Sequence, residues 1–246
     1  MKTKFLTIIS LVTLLAVSAC NIFPGTSKAV DMSLETIKTI STPESLTQSV
    51  NFSDDLSNDI SKDWGLKIIS GIENQLIWSQ EDGQFRLELQ PGNDTNFAFI
   101  SKNKNFKDVV VQTEARYLES SDAYVSVICR ASNKGWYEFR INSRGYYQVL
   151  KFDQYLKNQG KNAYTNLVGE QLRSPLVKTG KDINSLALSC SGKELKAFIN
   201  NEQVFKDRRP LVITDNSFSE GTIGFGVAAY GKSADLSFNY IETLKP

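Results

Sequence analysis

The chain has 246 residues, of which 41% are hydrophobic and 11% aromatic, enough to build a sizeable apolar core. Its 28 basic and 27 acidic residues almost balance, so it lacks the basic excess that would make nucleic acid an expected partner. Histidine is absent. That absence excludes a Ser-His-Asp triad, a Cys-His dyad, a histidine-ligated zinc site and a histidine general base.

Residues 1–19 have the pattern of an export signal. Lys2 and Lys4 form a positively charged N-terminal region. Residues 5–17 are mostly apolar but too few to span a bilayer as a helix. The segment runs into the letters VSAC at positions 17–20, which resemble the bacterial lipobox. The alternative is an ordinary secreted protein in which Cys20 is incidental.

The lipobox resemblance implies that residues 1–19 are a lipoprotein signal peptide and that Cys20 carries the lipid, palmitate among its acyl chains. Each acyl chain contributes about 0.8 kcal/mol per buried CH₂, so several chains hold a protein stably to a membrane without spanning it. Cleavage of the signal peptide would remove Lys2 and Lys4 and leave a mature chain with 26 basic and 27 acidic residues. We therefore expect a lipid-anchored protein on the cell membrane or outer membrane, with its domain outside the cytoplasm.

Residues 20–50 are predicted to be a flexible tether. They are rich in Ser and Thr, contain Pro24 and Pro43, and show only a brief amphipathic pattern at 32–40. A single domain is then expected over residues 51–246.

The pattern beyond residue 51 is that of an all-β domain. Runs rich in Val, Ile, Phe and Tyr alternate with a period of two, and no segment keeps a helical apolar stripe over three turns. The predicted strands are 85–90, 97–101, 109–117, 123–130, 135–143, 146–152, 183–191, 194–199, 222–229 and 234–242. So many antiparallel candidates predict two packed sheets. Residues 153–173, with their Asn, Gln and Lys, are interpreted as a loop that could lie across one sheet.

The two remaining cysteines are predicted to pair inside the sandwich. Cys129 shares the apolar face of its strand with Val127, as Cys190 does with Leu188. Export would place them in an oxidising compartment, where two thiols allow one intramolecular pairing. The expected disulfide is Cys129–Cys190, and the alternative is two buried free thiols.

The order of short motifs along residues 51–246 resembles bacterial concanavalin A-like lectin/glucanase domains, including modules described as laminin G-like or 3-keto-disaccharide hydrolase-like. The motifs are Phe52-Ser53-Asp54-Asp55-Leu56, Trp64-Gly65, Ile128-Cys129-Arg130, Trp136-Tyr137-Glu138-Phe139, Leu188-Ser189-Cys190-Ser191-Gly192 and Glu220-Gly221-Thr222-Ile223-Gly224-Phe225. The resemblance implies an antiparallel jelly-roll sandwich whose concave sheet binds glycans in relatives.

One departure from the family pattern concerns a metal. Some relatives hold a calcium ion near the chain termini through an Asp in a closing Phe-Asp-Asn strand, and here the residues are Phe238-Asn239-Tyr240. No cofactor is therefore expected, although Asp54 and Asp55 offer carboxylate oxygens that suit a structural calcium.

The carboxylates do not follow the pattern of a glycosidase. Glucanases of this fold carry Glu-x-Asp-x-Glu on one strand, whereas Glu114 and Glu138 stand alone on theirs. Their same-face neighbours include Arg116 and Arg140, and a neighbouring Arg lowers a carboxyl pKa, which disfavours a general acid.

The same strands are predicted to present a mixed aromatic and polar surface. If Tyr137, Phe139 and Ile141 face the core, the residues at the alternate positions face outward. They would offer a sugar an aromatic ring to stack on and hydrogen-bonding groups for its hydroxyls. The alternative is a solvated face of cross-strand ion pairs. The candidate binding residues are Trp136, Glu138, Arg140, Arg130, Glu114 and Tyr124.

The sequence thus predicts a lipid-anchored jelly-roll module that binds carbohydrate or another extracellular polymer without catalysis. One alternative is a glycoside hydrolase or lyase acting on a modified disaccharide or polysaccharide through Glu114 or Glu138, which requires the two carboxylates to lie within about 5 to 9 Å in a cleft. Another is a structural lipoprotein that presents a sheet to a protein partner.

Overall fold

The computed structural model describes residues 50–102, 104–119 and 122–246. The predicted signal peptide, Cys20 and nearly all of the tether lie outside the described residues. In the described part of the chain, no helix has both the length and the apolar character needed to cross a membrane.

The described residues form nineteen strands, one short α-helix and one 3₁₀ turn, Glu73–Gln75. The helix is α1 (Gln154–Asn158). The strands are β1 (Val50–Asp54), β2 (Trp64–Ser70), β3 (Leu76–Glu81), β4 (Gln84–Leu89), β5 (Thr95–Ser101), β6 (Val109–Tyr117), β7 (Tyr124–Ala131), β8 (Gly135–Asn142), β9 (Tyr146–Asp153), β10 (Tyr164–Asn166), β11 (Leu172–Arg173), β12 (Asn184–Ser191), β13 (Glu194–Ile199), β14 (Glu202–Gln203), β15 (Phe205–Lys206), β16 (Arg209–Pro210), β17 (Ile213–Thr214), β18 (Thr222–Ala229) and β19 (Ala234–Leu244).

Seventeen of these strands pack as two antiparallel sheets, and β15 and β16 pair with each other as a separate two-stranded ribbon. The nine-stranded sheet has the order β14-β13-β12-β6-β19-β4-β3, with β1 also paired to β19 and β17 to β13. The eight-stranded sheet has the order β10-β9-β8-β7-β18-β5-β2, with β11 also paired to β9. The predicted all-β, two-sheet sandwich is confirmed, and all ten predicted strands are present.

Alternation along the strands creates the core between the sheets. In β4 the side chains of Phe85, Leu87 and Leu89 are buried while those between them are partly exposed. Phe85 packs edge-on against Phe99 and Phe225, and those two rings stack at 5.0 Å. The core is thus an aromatic cluster to which both sheets contribute.

The predicted Cys129–Cys190 disulfide is present and joins the two sheets. Cys129 lies on β7 and Cys190 on β12, with 6.7 Å between their Cα atoms and a sequence separation of 61. A loop of that length corresponds to about 4 kcal/mol of stabilisation on the chain-entropy model.

Strand β7 contains a β-bulge that turns Arg130 out of the regular alternation. Thr222 pairs with Ala131 and Gly224 with Ile128, so β7 carries one residue more than β18 over this stretch. Arg130 adopts a left-handed conformation with φ of 53°. Its side chain therefore does not follow the phase that alternation predicts for it.

The segment predicted as a loop, residues 153–173, contains α1, β10 and β11. Asp153 caps α1 by accepting hydrogen bonds from the backbone N–H groups of Tyr155 and Leu156. Strands β10 and β11 then extend the eight-stranded sheet beyond β9.

Candidate functional site

The eight-stranded sheet curls over the face that points away from the core. Asn96 on β5 and Tyr164 on β10 are five strand positions apart in the sheet, a separation of about 24 Å if the sheet were flat. Yet Asn96 Nδ2 donates a hydrogen bond to Tyr164 Oη at 3.2 Å. Two such side chains cannot bridge a flat sheet, so this outer face is strongly concave, and we call it the concave face.

The floor of the concave face is built from small residues. Strand register places Ala98, Ser126, Gly226 and Ala228 side by side on the central strands β5, β7 and β18. A Cβ atom at Gly226 would lie 2.8 Å from the Phe97 carbonyl oxygen, so a larger residue is sterically excluded there. The small floor gives room for the large side chains that rise from β8, β9 and β10.

Trp136 lies on the concave face, as alternation predicts, but it is buried and cannot serve as an exposed plate for a sugar. Its exposed fraction is 1%. The indole stacks on Phe152 with 3.9 Å between ring centroids and donates from Nε1 to Glu138 Oε2 at 3.2 Å. With Ile128 and Ala163 it belongs to a second apolar cluster. The predicted face is therefore right, but the expected exposure of Trp136 is corrected: its contacts are those of a packing residue.

Glu138 and Arg140 are also buried on this face, each with an exposed fraction of 3%. Glu138 Oε2 accepts a hydrogen bond from Tyr164 Oη at 2.9 Å, and Glu138 Oε1 lies 3.9 Å from Arg140 Nε. The guanidinium carbon lies 5.0 Å from the Tyr164 ring centroid and 5.4 Å from that of Tyr124. At these two residues the alternative of a solvated face is therefore wrong, because they form a buried ion pair held between tyrosine rings.

Burial shifts the pKa values of the groups around this pair. The pKa of Tyr164 is raised well above its usual value, first by burial and then by the Glu138 carboxylate, so the hydroxyl stays protonated and can donate. Burial also raises the pKa of Tyr124. Across the floor, burial lowers the pKa of Lys67, whose Nζ lies 5.2 Å from the Trp136 ring centroid.

The most exposed aromatic ring of the concave face lies at its rim, at the ends of β7 and β18. Tyr230, directly after β18, is 50% exposed. Its ring packs edge-on against Tyr124 with centroids 5.9 Å apart, and its hydroxyl lies 3.3 Å from Arg140 Nη1. Tyr124 is itself only 7% exposed, and its hydroxyl accepts a hydrogen bond from Gln171 Nε2. Tyr230 therefore offers an open aromatic surface connected to the buried arginine.

Two predicted binding residues lie elsewhere. Glu114 is on β6 of the nine-stranded sheet, where Asn239 Nδ2 donates to its carboxylate at 3.0 Å. Arg130 is fully buried and ties loops together through the carbonyl oxygens of Lys107 and Phe218 and an ion pair with Asp108 at 3.2 Å. Alternation within one strand does not reveal which sheet a strand joins or where a bulge falls, so both assignments to this face were wrong.

The separation of Glu114 from Glu138 also affects the glycosidase alternative. The two carboxylates lie on the outer faces of different sheets, so the whole thickness of the sandwich stands between them. They do not share a cleft and cannot act as the acid and base of one reaction.

Asp54, one of the two suggested calcium ligands, has a structural role at the start of the domain. Its carboxylate accepts hydrogen bonds from Leu56 N at 2.8 Å and Trp64 Nε1 at 2.9 Å. Asp55 accepts from Ser57 N at 3.0 Å. Within residues 50–102, 104–119 and 122–246, no three acidic or cysteine side chains are grouped as metal ligands.

The sequence interpretation missed residues of this face that include Lys67, Asn96, Tyr164, Arg173 and Tyr230. Lys67 and Asn96 lie on β2 and β5, and Tyr164 is on a three-residue strand inside the presumed loop. Tyr230 sits in a turn. The sequence signal for Tyr164 was a tyrosine in an otherwise polar segment. Such a residue does not by itself indicate where its ring lies.

Two curled antiparallel sheets with this concave face define a jelly-roll sandwich of the concanavalin A-like type. Among solved structures, the chain is similar to carbohydrate-binding module CBM66 from Bacillus subtilis, with 13% identity over 74% of this chain and 97% of that one and a TM-score of 0.53. It is also similar to a Bacteroides ovatus GH16 protein from a mixed-linkage glucan locus, in complex with a G4G4G3G product, with 10% identity over 78% and 99% and a TM-score of 0.56. A third is the laminarinase catalytic domain from Thermotoga maritima, with 9% identity over 81% and 98% and a TM-score of 0.56. No family model and no curated protein sequence match the chain.

Proposed function

We propose that this protein is a lipid-anchored module that binds carbohydrate at the rim of its concave face. The observation that carries the proposal is Tyr230, a half-exposed ring packed against Tyr124 and adjacent to Arg140. An aromatic ring can stack under the apolar face of a sugar while nearby donors engage its hydroxyls. The rim supplies a donor in the exposed side chain of Gln171, and the buried Arg140 lies within hydrogen-bond distance of the Tyr230 hydroxyl.

The comparisons support a carbohydrate ligand without choosing between binding and catalysis. One similar structure is named a carbohydrate-binding module, and another is a GH16 protein in complex with an oligosaccharide product. We favour binding because the Glu138 carboxylate, which lies on the concave face, already interacts with Trp136, Tyr164 and Arg140. It is therefore not free to act as a catalytic acid or base.

A glycan panel tests the binding proposal. The full chain, purified in detergent, is applied to immobilised polysaccharides together with Tyr230→Ala and the matched control Tyr155→Ala, which removes a 69% exposed tyrosine from α1. We expect Tyr230→Ala to weaken glycan binding by about tenfold or more, as loss of a central aromatic contact does, and Tyr155→Ala to bind as the unaltered chain does. Equal losses in both variants, or no binding of the folded chain to any glycan, would refute the proposal.

We also propose that Cys20 carries the lipid and that the domain lies outside the cytoplasm. The support is the lipobox-like ending of the apolar segment. Metabolic labelling with palmitate should mark the unaltered chain and leave Cys20→Ser unlabelled. Equal labelling of both forms would exclude lipid on Cys20, and labelling of neither would exclude lipidation altogether.

A further inference from the structure

The concave face has more positively charged than negatively charged side chains. Strand register brings three cationic side chains to this face, those of Lys67, Arg140 and Arg173, and one carboxylate, that of Glu138. The other acidic residue on the described strands of this sheet, Asp153, caps α1. The concave face therefore carries an excess of positive charge in a chain whose basic and acidic residues nearly balance.

Lys67 is the first of two cations on this face that have no ion-pair partner among the described residues. Its side chain is partly buried, and its Nζ lies 5.2 Å from the Trp136 ring centroid and 6.0 Å from that of Phe152. Among the described residues, no carboxylate pairs with it. An ammonium group removed from water without a counter-ion is unfavourable, and the two rings compensate for only part of that cost. A negatively charged group of a ligand would complete the site.

Arg173 presents a second uncompensated cation on the opposite side of the face. It is exposed on β11, and its guanidinium lies over the ring of Tyr146 at 5.9 Å. No ion pair engages it within the part of the chain that the structure describes. A guanidinium placed on an aromatic ring keeps its donors free for a carboxylate or sulfate, which it matches in shape.

The loops around one cavity beside the rim add no net charge. A cavity of about 400 Å³ at the same end of the sandwich is lined by Arg144 and Lys232 and by Asp122 and Glu119. Asp122 pairs with both cations there. The charge excess thus belongs to the concave face itself.

We infer that the bound carbohydrate is acidic and that its carboxylate or sulfate groups pair with Lys67 and Arg173. This inference rests on the proposed function and specifies its ligand class. Tyr230 and Tyr146 supply aromatic surface on either side of Tyr124, and Tyr146 is about 10 Å from Tyr124 at two strand spacings. The rim therefore spans several sugar rings, with Arg173 beside Tyr146 and Lys67 across the floor of the concave face.

The test compares each acidic polysaccharide with its own uncharged form. The full chain is titrated with polygalacturonate, alginate and heparin, with carboxyl-reduced polygalacturonate and alginate and desulfated, carboxyl-reduced heparin, and with neutral glucans. We expect at least one acidic polymer to bind about tenfold or more tightly than its uncharged form. The variant Lys67→Met/Arg173→Gln should lose that preference, whereas the exposed control Lys157→Met should keep it.

The outcomes separate the two proposals. Equal or tighter binding of the uncharged polymers would overturn the inference and leave carbohydrate binding in place. If Lys157→Met loses the preference for the acidic polymer to the same extent, the attraction is a non-specific effect of positive charge. That result would also overturn the inference. Absence of binding to every polymer by the folded chain would overturn the proposed function itself.

Discussion

Replacement of Trp136 by alanine should destabilise the domain rather than remove an exposed binding group. The indole is 1% exposed, stacks on Phe152 at 3.9 Å and donates to Glu138. Truncation of a buried tryptophan costs about 3 to 5 kcal/mol. With a urea dependence of about 2 kcal/mol per molar, the midpoint of unfolding should fall by roughly 2 M.

The assay is urea unfolding followed by far-ultraviolet circular dichroism, which does not depend on the lost fluorophore. Trp136→Phe keeps a stacked ring but loses the hydrogen bond, so we expect a loss of about 1 to 2 kcal/mol. Trp78→Ala, at a 42% exposed tryptophan whose ring meets Phe99 edge-on, should cost clearly less than Trp136→Ala because less apolar surface is lost. A Trp136→Ala protein as stable as Trp78→Ala would refute the assignment of Trp136 to the packed interior.

Three further predictions concern stability. Cys129→Ala/Cys190→Ala should lower the free energy of unfolding by about 4 kcal/mol, and a reductant should have little effect on this variant; a loss below about 1 kcal/mol would contradict the loop-closure argument. Glu138→Gln leaves a buried guanidinium without its carboxylate and should cost about 3 to 5 kcal/mol in thermal or urea unfolding; unchanged stability would show that the pair is dispensable. Tyr137 and Tyr147 have pKa values raised to about 12, mainly by burial, above the unfolded value of about 10. Their contribution is therefore present below pH 10 and lost as the pH rises through 12. Urea unfolding at successive alkaline pH values should show this loss, and a variant with Phe at both positions should show less of it.

The sequence could predict which side chains of β8 point to the same face. Alternation assigned Tyr137, Phe139 and Ile141 to the core, and all three are in it. It also placed Trp136 and Arg140 on the opposite face, where they lie. Alternation cannot reveal what covers that face, because the cover comes from the curl of the whole sheet and from the three-residue strand β10.

Other parts of the site depended on information that is not local. Glu114 and Glu138 have similar strand contexts, and only the order of strands in the sheets separates them. Arg130 changes direction at a bulge that contains a non-glycine residue with φ of 53°, for which the sequence has no marker. The disulfide was predictable because it required only the phase of two strands and a count of cysteines.

The pairing of β1 with β19 has a consequence for how this domain can be combined with others. Val50 pairs with Leu244, so the polypeptide enters and leaves the domain at one place. Both strands belong to the nine-stranded sheet, whereas the concave face belongs to the other sheet. A domain of this kind tolerates insertion into a host loop or fusion at its last strand. Such a graft would enter and leave on the side away from the concave face and could be used to display the module on an unrelated scaffold.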